Sequence, residues 1–179
     1  MRSWHGVLET LIRERRSALV GYAYLLAGDR PAAEDLVHDA IIRTFSRARR
    51  LGDVHQAEAY VRRTILTQFI NGRRRQATAR AKQHLLVDAD APPADESWGL
   101  RDAVVAALRR LPERQRACIV LRYFEDLSVA ETANALEVSE GAVKRYVHDA
   151  RELLRELLGD LGDEEPEVSV TVVVRKGAS

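Results

Sequence analysis

The sequence predicts an all-α protein of two helical domains joined by a flexible acidic linker. Three observations carry that expectation. Apolar residues recur at helical spacing through most of the chain, and a β-prone alternation occurs only near the C-terminus. Glycine and proline number only 10 and 5 among 179 residues, too few to break the periodic stretches. Charge is unevenly spread, which divides the chain. Residues 1–83 carry 16 Lys/Arg against 8 Asp/Glu, and residues 84–99 carry 4 acids and no base. Residues 100–158 balance at 10 each, and residues 159–179 carry 2 bases against 5 acids. The formal net charge of +1 conceals this pattern. The expected partition is a domain over 1–80, a linker over 81–99, a second domain over 100–160 and an acidic, β-prone tail over 161–179.

In the first domain, Val7, Leu8, Leu11, Ile12, Ala18, Leu19, Tyr22, Ala23 and Leu26 predict an amphipathic helix from about Ser3 to Leu26. Gly28 can end it. Asp29 can cap the next helix, with Pro31 in its permissive first turn. Leu36, Val37, Ala40, Ile41, Thr44 and Phe45 form the buried stripe of that second helix; Glu34, Asp35, His38, Asp39 and Arg43 form its other face. Leu51 to Gln56 breaks the pattern. A third helix follows from about Ala57 to Gln76, with Tyr60, Val61, Ile65, Phe69 and Ile70 as its apolar members. The pair Pro92-Pro93 and four uncompensated acids mark the linker.

In the second domain, Leu100, Val104, Leu108 and Leu111 mark a helix, and Pro112 starts another. From Asp126 to Arg151 the sequence reads as a helix-turn-helix. Ser128 and Glu131 form a capping box. Ala130, Ala133 and Leu136 give the first helix a small apolar face, Glu137-Val138-Ser139 makes the turn, and Ser139 can cap the second helix. Val143, Val147, Ala150, Leu154 and Leu157 lie on one side of that helix. Its early turns expose Glu140, Ala142, Lys144, Arg145, His148 and Arg151. An apolar face to dock and a basic face near the N-terminal end suit a helix that enters the major groove. An ordinary helical hairpin with a solvated charged face would carry the same pattern.

The third helix is basic. Arg62, Arg63, Arg73, Arg74 and Arg75 stud it, and no acid occurs from Ala59 to Ala79. Arginines interleaved with aromatics such as Tyr60 and Phe69 suit single-stranded nucleic acid, where rings stack on bases and guanidinium groups hold phosphates. The alternative is that both aromatics belong to the core and the arginines to a solvated face. The basic first domain by itself points to a polyanionic partner.

Other function classes find little support. The five histidines, His5, His38, His55, His84 and His148, have no Cys or His partner at metal-ligand spacing. There is no Gly-rich phosphate loop and no paired-carboxylate arrangement beside a nucleophile, so neither a cofactor nor an enzyme activity is expected. The one cysteine, Cys118, lies in the apolar run Ala117–Leu121 and reads as a core residue. No stretch approaches the length of a membrane span. Arg13, Glu14, Arg15 and Arg16 interrupt the early apolar pattern, so no signal peptide and no membrane insertion are expected, and the location is cytoplasmic.

The order of these modules resembles the extracytoplasmic-function sigma factors of bacterial RNA polymerase, in their actinobacterial branch. GDRPAAEDLVHDAIIRTF at Gly28–Phe45 is similar to that family's core-polymerase-binding helix. EAYVRRTILTQFINGRRR at Glu58–Arg75 is similar to its −10-element helix. LPERQRACIVLRYFEDLSVAETANAL at Leu111–Leu136, followed by VSEGAVKRYVHDAR, is similar to its −35-reading domain. The resemblance covers about 1–83 and 100–158.

It implies a sigma region 2 bundle and a sigma region 4 helix-turn-helix, and a sigma factor that directs promoter-specific transcription initiation. It implies core binding to the β′ clamp helices through Asp35, His38, Asp39 and Arg43, and a contact with the β flap. Promoter contacts at the single-stranded −10 element would fall to His55, Tyr60, Arg62, Arg63, Thr67, Asn71, Arg73 and Arg74, with an unpaired base captured in a pocket that offsets its unstacking. Contacts at −35 would fall to Ser139, Gly141, Ala142, Lys144, Arg145, His148 and Arg151. An anti-sigma factor is an implied partner. The chain departs from the family pattern at His38, Thr67, Asn71, Ala142, Arg145 and Tyr146, which bears on the promoter sequence and not on the role. A stand-alone helix-turn-helix regulator is the alternative; it explains the C-terminal half but not the AEDLVHDA and AYVRRT segments.

Overall fold

The computed structural model describes residues 4–47, 51–80 and 99–158, with side chains over 4–46, 51–71 and 102–158. Seven helices and no strand make up these residues. They are α1 (Trp4–Ala27), α2 (Arg30–Arg47), α3 (Val54–Arg80), α4 (Gly99–Arg110), α5 (Glu113–Ile119), α6 (Val129–Leu136) and α7 (Glu140–Leu158). A π-helical turn, Val120–Phe124, prolongs α5. The segment expected as linker lies almost wholly outside the described residues, as does the β-prone run Val168–Val174.

Helices α1, α2 and α3 pack on one another as a three-helix bundle. Leu11, Leu19, Tyr22 and Leu26 of α1, Val37 and Ala40 of α2, and Val61, Ile65 and Phe69 of α3 are buried together. Each such aliphatic side chain contributes about 1.5–3 kcal/mol on leaving water. Gly28 ends α1 in a left-handed conformation (φ +84°), and its N–H donates to the Tyr24 carbonyl at 2.8 Å. Asp29 then caps α2, its carboxylate accepting from the Ala32 N–H at 2.9 Å. The third helix begins at Val54, three residues earlier than its apolar period suggests. The cause is a cap: Asp53 accepts from the Gln56 N–H at 2.8 Å, and the Gln56 side chain accepts from the Gly52 N–H at 2.8 Å.

Helices α4 to α7 form the second unit, with Leu108, Cys118, Val120, Leu136, Val143 and Ala150 in its core. Cys118 is fully buried, as its apolar run suggested, and burial pushes its thiol up to about 11. The capping box of α6 is complete, the Glu131 N–H donating to the Ser128 hydroxyl at 3.1 Å and the Ser128 N–H to the Glu131 carboxylate at 2.8 Å. Ser139 caps α7 by accepting from the Ala142 N–H at 3.1 Å. Some apolar assignments shift by a position. Ala130 is exposed and Thr132 takes the buried place beside Ala133. Ile12, Ala18 and Leu157 face solvent, because each lies at the edge of its helix's apolar stripe.

Candidate functional site

Three exposed faces carry the residues singled out in the sequence. The first is on α2, where Asp35, His38, Asp39 and Arg43 are all exposed at spacings of three or four. Among the described residues no ion pair or side-chain hydrogen bond engages Asp35 or Asp39, and both face solvent.

The second face runs along α3. His55, Tyr60, Arg63, Thr67 and Asn71 are exposed, and the Tyr60 ring is 52% exposed. Phe69, the other aromatic of this helix, is core. Among the described residues of this helix, Tyr60 is therefore the one exposed benzenoid ring. The Thr67 hydroxyl donates back to the Arg63 carbonyl at 2.9 Å, which fixes its rotamer. Arg73 and Arg74 continue the helix, their side chains outside the described residues. Arg62 is placed differently from its neighbours. Its guanidinium donates to Glu58 at 3.0 Å and to Glu125 of the other unit, and lies 5.1 Å from the centre of the Tyr22 ring.

The third face belongs to α7. Gly141, Lys144, His148 and Arg151 follow one another at spacings of three, four and three, and all are exposed. Arg145 flanks this row, its guanidinium 5.6 Å from the Tyr146 ring. Ser139 is exposed but its hydroxyl is spent on the cap, and Ala142 is half-buried at the edge of the row. Val143 and Ala150, on the opposite side, are fully buried and anchor the helix. The turn before α7 is tight. Glu137 adopts a left-handed conformation (φ 53°, ψ 48°), and the Val138 N–H donates to the Ala133 carbonyl at 3.0 Å.

The sequence pattern missed the residues that join the two units. Glu125 stands at the end of the π-helical turn, where its N–H donates to the Val120 carbonyl at 3.1 Å. Burial pushes its carboxyl above the usual carboxylate range, outweighing the opposite pull of Arg62. Arg116 is 2% exposed, and donates to the Leu26 carbonyl at the end of α1 (2.7 Å) and to the Arg109 and Leu111 carbonyls (2.8 and 3.3 Å). The Tyr24 hydroxyl reaches Asp102 at 3.3 Å. These are long-range contacts between charged and polar residues, which apolar periodicity does not report.

Comparison with known proteins places both units. Residues 11–79 match the family model for sigma-70 region 2, and residues 101–154 the model for sigma-70 region 4. An RNA polymerase sigma-E factor of Streptomyces avermitilis is 34% identical over 150 residues, covering 84% of each chain. The ECF RNA polymerase sigma factor SigL of Mycobacterium tuberculosis is 29% identical over 162 residues, covering 88% of this chain and 92% of that one. The fold is shared with the sigma factor RpoE of Bartonella quintana, solved in complex with the anti-sigma factor NepR, at a TM-score of 0.65 and 24% identity over 84% of this chain and 94% of that one. A stand-alone regulator leaves the region 2 match without explanation. The chain therefore belongs to the sigma-70 family, among the extracytoplasmic-function RNA polymerase sigma factors.

Proposed function

We propose that the three exposed faces divide the work of initiation between them. The α2 face docks on the β′ clamp helices of core polymerase through Asp35, His38, Asp39 and Arg43. The α3 face takes the non-template strand of the −10 element, with Tyr60 as the stacking ring and Arg63, Arg73 and Arg74 as phosphate contacts. The α7 face reads the −35 element from the major groove, with Lys144, Arg145, His148 and Arg151 reaching the DNA and Ser139, Gly141 and Ala142 setting how closely the helix end approaches it.

On this reading the domains are 1–80 and 100–160, the acidic linker spans between them, and the tail over 161–179 takes no part in promoter selection. The protein works in the cytoplasm, by binding alone and without chemistry of its own. The second domain also meets the β flap, and an anti-sigma factor is the expected regulator. The solved RpoE relative was captured with one.

The observation that carries this reading is the coincidence of each exposed polar face with one of the two matched regions. Core binding gives the sharpest test, because Asp35 and Asp39 are both exposed on one face of α2. The double variant Asp35→Lys, Asp39→Lys is expected to lose co-purification with core polymerase while keeping wild-type helicity. Stoichiometric binding by that variant would move the core-binding face elsewhere.

A further inference from the structure

We propose that Tyr146 is a positioning residue for −35 recognition: its ring holds the Arg145 guanidinium clear of Asp149 and leaves that guanidinium free for a guanine edge. The inference rests on the reading of α7 as the −35 helix.

On a helix, a side chain meets the residues three and four positions away. Arg145 is exposed, and the turn before it offers only Gly141 and Ala142, which carry nothing to hold a guanidinium. Space there is open: a Cβ at Gly141 would meet only the Ser139 hydroxyl, at 3.9 Å. The turn after it offers His148 and Asp149, both exposed. Asp149 is therefore the carboxylate that helical spacing brings to Arg145. The guanidinium instead lies 5.6 Å from the centre of the Tyr146 ring, and among the described residues no ion pair joins it to Asp149. Tyr146 is itself held in place, half-buried and packed against the core to which Val143 and Ala150 belong.

Physical chemistry explains why the ring prevails. A base four residues before an acid is the weaker order of that pair, because both charges oppose the helix dipole. Two exposed ends also lose side-chain freedom on pairing, and salt screens them. The ring is already fixed by the core and attracts the cation through its π face.

The difference bears on readout. A carboxylate accepts from two N–H groups of the guanidinium fork, which is the same fork that guanine O6 and N7 accept. A ring attracts the face of the guanidinium and leaves the fork available. Arg145 on Tyr146 is thus ready for a base, whereas Arg145 on Asp149 would first have to be released.

The test is selection by holoenzyme, reconstituted from the full chain and core polymerase, on promoter duplexes randomised over the −35 element. Arg145→Ala is expected to relax the preference at one G·C pair, which identifies the pair that Arg145 reads. Tyr146→Leu is expected to relax the same pair at least about fivefold, with the other positions unchanged. Tyr146→Phe, which keeps the ring and removes the hydroxyl, is expected to select as wild type does. The double variant Tyr146→Leu, Asp149→Ala removes the competing carboxylate and is expected to recover most of the preference. Full preference at that pair in Tyr146→Leu would overturn the proposal. Loss in Tyr146→Phe would overturn it by making the hydroxyl the contact, and a double variant without recovery would overturn the competition with Asp149. A loss spread evenly over all positions in Tyr146→Leu would reduce Tyr146 to a packing residue and overturn the proposal too. Unchanged selection by Arg145→Ala would strike the base-reading role on which the proposal rests, so the two ideas fail by different results.

Discussion

Arg62 and Arg63 are adjacent in sequence and differ in circumstance. Arg63 is exposed, whereas Arg62 is enclosed by Glu58, Glu125 and the Tyr22 ring. The pairing with Glu125 is not a simple gain. Removing a carboxylate from water costs more here than Arg62 returns, which is why the Glu125 carboxyl sits above its ordinary value of 4.5. The sign of the linkage follows. A carboxyl whose pKa is raised in the folded protein binds its proton more readily there, so protonation favours the folded state. That preference is complete below the ordinary carboxylate value and fades as pH rises through the raised one. The destabilising contribution of Glu125 is therefore expected to shrink as pH is lowered from neutral toward the ordinary carboxylate range, read as stability in chemical denaturation. Glu125→Gln, which keeps an acceptor for Arg62 but cannot titrate, is expected to lose this dependence. An identical pH trend in that variant would assign it to other carboxylates.

At the scale of elements, the helix-turn-helix was legible because its signals are local. Ser128 and Glu131 are three apart, as a capping box requires, and Ser139 directly precedes the helix it caps. The start of α3 was less legible, since the apolar period begins at Ala57 while the Asp53 cap acts on backbone before it. The π-helical turn at Val120–Phe124 has no signature in residue order, yet it decides where Glu125 stands. Phe69 shows the limit of composition: a ring among arginines reads equally as platform or core, and only packing separated the two. The turn before α7 carries a cost of its own. Glu137 occupies a left-handed conformation that glycine adopts freely, at roughly 1–2 kcal/mol for a residue with a Cβ. Glu137→Gly is expected to raise the stability of the second domain by about 1 kcal/mol in chemical denaturation, after the lost chain entropy is counted. Destabilisation would mean that the Glu137 side chain contributes more than its backbone costs.

Over the whole molecule, charge asymmetry and two amphipathic patterns foretold two helical units, and the matches to sigma-70 regions 2 and 4 fall on those units. What the sequence did not foretell is that the units touch. Arg116 lies in the LPERQR string and would pass for one more charge, but it is buried on the end of α1, 90 residues away in the chain. The central claim is that this chain confers promoter recognition on core polymerase. Run-off transcription on genomic promoter fragments, with core polymerase and this protein as the only added factor, measures it directly. Discrete transcripts that depend on the protein and vanish with Asp35→Lys, Asp39→Lys are the expected result. Transcripts that appear only when another sigma factor is added would contradict the account.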